Sequence, residues 1–92
     1  PRSIMHRLHE MIFRSYYLLN EEGFYEVAII FVVLNEESIP ELEHRIRRRT
    51  PERMAEVKGN IRIIIGVAEY SEEEGYVYGF SPYTDFQLDH RM

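Results

Sequence analysis

The sequence predicts an α+β fold, a two-layer sandwich in which helices cover one face of a three-stranded mixed sheet. A run from Phe24 to Leu34 is apolar apart from Glu26, and a second apolar run covers Ile61 to Tyr70. Helical patterns precede the first run and separate the two runs, which is typical of a strand–helix–strand unit. The predicted element order is α-β-α-α-β-β, within a single domain over residues 1–92.

The first helix is predicted to begin at the capping residue Ser3 and to end near Asn20. Its apolar side chains follow helical spacing and form a predicted core stripe. The stripe consists of Ile4, Leu8, Met11, Ile12, Ser15 and Leu19. Gly23 suits the left-handed position that ends a helix, so the chain is expected to fold back into the strand that follows.

The strand from Phe24 to Leu34 is apolar at both odd and even positions. A half-buried strand alternates apolar with polar residues, so this pattern predicts a strand that is buried on both faces. The run is about half of the roughly 20 residues that a membrane-spanning helix needs.

Two start signals predict the middle helices. The segment Ser38–Glu41 has the spacing of a capping box with proline in the first turn, and its helix is predicted to reach about Arg49. The predicted core residues of this helix are Ile39, Leu42 and Ile46. Thr50 repeats the signal and predicts a second short helix from Pro51 to Lys58.

The C-terminal third predicts a hairpin. The loop Ser71–Gly75 separates the strand Ile61–Tyr70 from a shorter strand, Tyr76–Phe80. Gly66 and Gly79 predict bulges or close packing. The apolar residues of segment 81–92 follow neither helical nor strand periodicity. We expect this segment to form either an extension of the domain or a segment that covers the sheet.

The strand–helix–strand crossover predicts a parallel pair, to which the hairpin adds an antiparallel strand. Helices on one side leave the other side of the sheet open, although the first two strands are apolar on both faces. The second face is therefore expected to be covered by a dimer partner or by the C-terminal tail.

Composition narrows the function classes. The net charge of −5 argues against general nucleic-acid binding, and the absence of cysteine excludes disulfides and thiolate metal sites. No signal peptide or membrane segment is visible, so a cytoplasmic location without membrane attachment is expected. The excess of arginine and glutamate is typical of a thermophile, and equally of a GC-rich genome.

An arginine cluster is the predicted alternative binding site. It consists of Arg45, Arg48, Arg49 and Arg53, whose guanidinium groups suit phosphate. The competing interpretation is a solvated helix face, in which Glu41–Arg45 and Glu43–Arg47 form ion pairs one turn apart.

His6, His9 and Glu10 are a second alternative, a metal-dependent hydrolase or nuclease site. Their spacing matches no known zinc-protease motif, and the competing interpretation is a polar flank of the first helix. A third ligand would have to come from the distant tail, from His90, Asp89 or Asp85.

Aromatic residues crowd the C-terminal third, beside the acidic run Glu72–Glu74. Tyrosine is common at subunit interfaces, whereas the acids disfavour nucleic acid. The predicted interface residues are Val32, Ile64, Tyr76, Tyr78, Phe80 and Tyr83.

The sequence thus predicts a small self-associating protein, a homodimer that acts in regulation by protein–protein contacts. No convergent catalytic set is evident, so no catalytic residue, cofactor or firm metal site is assigned. Nucleic-acid binding and metal-dependent hydrolysis are the alternatives.

Overall fold

The computed structural model describes residues 4–48 and 59–88. Its elements are α1 (Ile4–Asn20), β1 (Glu26–Val33), a 3₁₀ turn (Glu36–Ser38), α2 (Ile39–Arg48), β2 (Asn60–Ser71) and β3 (Tyr76–Gln87). The predicted α+β class is confirmed, with the order α-β-α-β-β within these ranges. The second short helix, predicted over Pro51 to Lys58, lies outside the described residues.

The three strands form one mixed sheet in the order β1-β2-β3. β1 pairs with β2 in parallel, from Glu26 opposite Asn60 to Val33 opposite Val67, without a register shift. β2 and β3 pair antiparallel. The parallel pair and the antiparallel hairpin are both as predicted.

The core lies on one face of the sheet, beneath both helices. Successive side chains of a strand point to opposite faces, so the odd-numbered residues of β1 and β2 share this face. The buried cluster joins Ile29 and Phe31 of β1 with Ile61, Ile63 and Ile65 of β2. The helices contribute Leu8, Ile12, Leu19, Ile39, Leu42 and Ile46. Leu88, just past β3, is also buried there.

α1 packs through a narrower stripe than predicted. Leu8, Ile12, Ser15 and Leu19 are buried, but Met11 is 44% exposed. At 100° per residue, Met11 lies to one side of the stripe and faces the free edge of β1. Gly23 ends the helix as predicted, with φ +77°.

α2 begins at Ile39, directly after the predicted capping residue Ser38. A 3₁₀ turn precedes the helix, and the Ser38 hydroxyl donates to the carbonyl of Asn35 at 2.9 Å. The hydrogen bonds of the capping box stay a prediction. The predicted buried residues Ile39, Leu42 and Ile46 are confirmed.

β3 is longer than predicted, because residues 81–87 continue the strand. Pro82 lies within this strand and is tolerated, because β3 is an edge of the described sheet and needs hydrogen bonds on one side only. Two register shifts, between Ile65 and Gly66 and between Glu69 and Tyr70, mark bulges in the hairpin. The tail to residue 87 therefore widens the sheet and does not cross its open face.

Ile63 tests the placement of the core. Replacing it with alanine removes apolar atoms from a fully buried site, so Ile63→Ala should lower the free energy of unfolding by about 2–5 kcal/mol. The control is Leu34→Ala at an 81% exposed position, with an expected effect of less than about 0.5 kcal/mol. Chemical denaturation at one fixed protein concentration measures both. Equal losses in the two variants would contradict the core described here.

Candidate interaction surface

The face of the sheet away from the helices is apolar and open, and we call it the open face. The even-numbered residues of β1 and β2 and their β3 partners lie on it. Its apolar members are Ala28, Ile30, Val32, Ile64, Ala68, Phe80 and Pro82, with Gly66 among them. Ile30 is 49% exposed and Val32 is 50% exposed. Burial of β1 on both faces is therefore not achieved within the described part of one chain.

Phe80 and Gly66 form the centre of the open face. A Cβ atom added to Gly66 would lie 2.2 Å from Cδ2 of Phe80 and 2.8 Å from the carbonyl oxygen of Ser81. Only glycine leaves room for the ring to lie against the central strand. Phe80 is partly buried as a result and presents a positioned aromatic surface.

An ion cluster occupies one end of the open face. Arg62 Nε donates to Asp85 Oδ1 at 2.7 Å, and a second guanidinium nitrogen donates to Oδ2, which makes the contact bidentate. Glu26 lies on the other side, 3.7 Å from Arg62 Nη1. The hydrogen bond from Arg62 lowers the pKa of Asp85. The same hydrogen bond, with Asp85 as acceptor, raises the pKa of Arg62. One guanidinium thus contacts two carboxylates, and the cluster keeps one negative charge.

At the other end, the β2–β3 hairpin projects past β1 as a two-stranded arm. Val33 pairs with Val67, so residues 68–71 of β2 extend about 13 Å farther. Gly75, at φ +74°, closes the loop, and its N–H donates to the Ser71 carbonyl at 2.8 Å. Tyr70, Tyr76, Val77 and Tyr78 on this arm are each at least half exposed. A hydrogen bond with Glu74 raises the pKa of Tyr76.

The predicted interface residues fall into two groups. Val32, Ile64 and Phe80 lie together on the open face, around Gly66. Tyr76 and Tyr78 lie on the arm. Tyr83 is 57% exposed and is the extra residue of the bulge opposite Ile65 and Gly66.

The arginine cluster is only partly described. Arg45 and Arg48 are exposed on α2 and have no ion pair within the described ranges, whereas Arg49 and Arg53 lie outside them. Of the predicted pairs, Glu43–Arg47 is present at 2.9 Å. Arg47 also lies over the ring of Phe86, 4.0 Å from its centroid. Nucleic-acid binding stays a prediction.

The histidines lie on the solvent side of α1. His6 Nε2 is 4.0 Å from Glu10 Oε1, an i,i+4 contact, while His9 lines an open groove with Phe13 and Tyr17. Within residues 4–48 and 59–88, no group of three His, Asp or Glu side chains is placed to hold a metal ion. Among the suggested third ligands, Asp85 is bound to Arg62 on the opposite layer. Asp89 and His90 lie outside the described residues.

Neither described helix has the length and apolar character needed to cross a lipid bilayer. Comparison with protein-family models, curated proteins and solved structures found no match.

Sequence reasoning missed the ion cluster and the contribution of Ile30 and Pro82 to the open face. Arg62 and Asp85 are 23 residues apart, and only the register of β2 with β3 brings them together. The two bulges set that register. Gly66 and Gly79, which predicted bulges or close packing, were the one signal in the sequence for it. Ile30 follows from the apolar pattern once its pairing with Ile64 is known.

Gly66 tests the packing at the centre of the open face. Gly66→Ala forces the Phe80 ring to move, so we expect a loss of about 1–3 kcal/mol in the free energy of unfolding. Gly79→Ala is the matched control in the same hairpin, because its nearest atom, Glu69 Oε1, is 3.5 Å away. That variant should change stability by less than about 1 kcal/mol. Similar losses would mean that the ring does not lie against Gly66.

The ion cluster predicts a specific pH dependence. The folded pKa of Asp85 lies below its ordinary value of about 3.9, so the ion pair stabilises the fold above that value. This contribution is lost as the pH falls through the lower, folded pKa. In Arg62→Met the pKa of Asp85 should return towards about 3.9, measured by NMR titration of the carboxyl group. Arg48→Met is the control and should leave it unchanged; an unshifted Asp85 in Arg62→Met would contradict the assignment.

Proposed function

We propose that this protein acts by binding, as a homodimer in which the open face of one copy packs against the same face of a second copy. The observation that carries the proposal is the apolar open face, whose β1 residues Ile30 and Val32 are half exposed in the single chain. Exposed apolar patches of several hundred Å² on a folded domain are typical of interaction sites.

The open face and the arm together offer an area that suits a second copy. Three paired strands of about eight residues present roughly 400 Å² on one side, about half of the roughly 800 Å² per partner of a standard interface. Covering it contributes at most roughly 10 kcal/mol per chain, at about 25 cal/mol per Å², before the cost of association. The exposed aromatic side chains of the arm supply further area at one end.

Charge on the open face is confined to one end. The charges at this described end are Arg62, Glu26 and Asp85, in which one guanidinium contacts two carboxylates and one negative charge remains. In a two-fold dimer the same patch meets itself, so this charge would meet an identical charge if it were central. At the solvated rim of the interface, water and salt screen it.

Face-to-face packing of two sheets gives a four-layer dimer with the helices outside. Phe80, held against Gly66, is the central anchor, and Ile64 and Val32 flank it. The outer helices remain accessible to other proteins in this arrangement, as a regulatory or scaffold role requires.

Arginine substitutions on the open face test the dimer. Val32→Arg and Ile64→Arg each place a charge in the apolar centre, so the mass measured by light scattering should fall from dimer to monomer. Tyr17→Arg is the control, because Tyr17 is 56% exposed on α1, away from the sheet. That variant should remain dimeric.

Circular dichroism on the same samples separates lost association from lost folding. A monomeric wild-type protein at all concentrations, or a native mass in both open-face variants, would contradict the proposal.

A further inference from the structure

The free edge of β1 is the second unpartnered feature of the sheet. β1 pairs only with β2 within the described residues, so its outer edge carries backbone N–H and C=O groups without a strand partner. Every second residue of an edge strand directs its N–H and C=O groups away from the sheet, so about four of the eight residues of β1 do so. Such an edge is a template for an added strand.

The two edges of the sheet differ. β3 carries Pro82 and two bulges, which are features that blunt an edge against pairing. β1 runs from Glu26 to Val33 with no proline, no lysine and no register shift against β2. The edge that lacks protection is thus the one beside α1.

A groove of about 210 Å³ runs along this edge, between β1 and α1. Val27, Ala28, Ile29 and Ile30 all line it. Consecutive strand residues point to opposite faces, so all four can line one groove only if it follows the edge of the strand. The groove is therefore open to the backbone of β1.

The helix side of the groove is apolar and basic. Met11, Arg14 and Leu18 line it, and Arg7 lies one turn from Met11 on the same flank of α1. Arg7 and Arg14 are exposed and form no ion pair among the described residues. Glu10, beside them, lies 4.0 Å from His6. The flank thus offers two guanidinium groups to a ligand.

We propose that the β1 edge binds an extended acidic peptide segment of a partner protein as a fourth strand. The backbone of the peptide would pair with β1. Every second side chain of the peptide would face α1, and the side chains between them would lie on the same side of the sheet as the open face. Acidic residues suit the first set, because they would meet Arg7 and Arg14. Apolar residues suit the second set, because they would lie beside Ala28 and Ile30.

A second copy of β1 fits this edge less well than an acidic peptide does. Edge-to-edge pairing of two copies would bring together two α1 flanks, each with Arg7, Glu10 and Arg14. The acids that a second copy offers, Glu10 and Glu26, already lie 4.0 Å from His6 and 3.7 Å from Arg62. A peptide brings carboxylates without such contacts, so it suits the two guanidinium groups better.

The probe is a capped, fluorescent peptide of about nine residues in which glutamate alternates with valine. Fluorescence anisotropy should show saturable binding to the wild-type protein, at least about tenfold tighter than for the same peptide with lysine in place of glutamate. Arg14→Glu should weaken binding by about tenfold, whereas Arg48→Glu, on α2, should change it by less than about twofold.

Two N-methylated peptides test strand pairing directly. Only alternate amides of an added strand point towards β1, so methylating the glutamate amides or the valine amides should have opposite outcomes. One peptide should lose binding, and the other should keep it. Equal behaviour of the two, equal affinity for the lysine peptide, or no binding up to about 1 mM would overturn the proposal. Because Ile64→Arg lies on the central strand β2 and leaves β1 unchanged, peptide binding by this variant separates loss of dimerisation from loss of the edge site.

Discussion

Both described helices lie on the same side of the sheet, and this constraint shapes the rest of the molecule. The odd-numbered residues of β1 and β2 meet α1 and α2, so Ile63 and its neighbours are removed from water. Most even-numbered residues at the centre of the same strands are also apolar, but the described chain has no further layer for them. Burial of one face thus places Ile30 and Val32 on the surface as a direct consequence of strand alternation.

The open face has features expected of a surface that is organised before binding. Gly66 lets Phe80 lie against the central strand, and Arg62 is fixed between Asp85 and Glu26. Side chains that are already ordered lose less conformational entropy when a partner arrives. Arg62 contacts both carboxylates within the chain, so its positive charge needs no partner from a second molecule.

The sequence predicted the fold class, the main elements and the principal core of α2, because periodicity and glycine signals report local structure. It missed features that depend on register. The extension of β3 past Pro82 and the Arg62–Asp85 pair depend on bulges that shift the hairpin by one residue, and a one-residue shift reassigns every side chain between faces.

The open face and the β1 edge meet at Ala28 and Ile30, yet their chemistry keeps them distinct. Side chains alone form the open face, and it is apolar with its charges confined to one end. The edge adds backbone donors and acceptors together with the guanidinium groups of Arg7 and Arg14. The ligand proposed for the edge is accordingly extended and negatively charged, whereas the partner proposed for the face is broad and apolar. Because an added strand would also widen the open face beside Ile30, peptide binding at the edge would enlarge the area available for dimerisation, and the two events would favour each other.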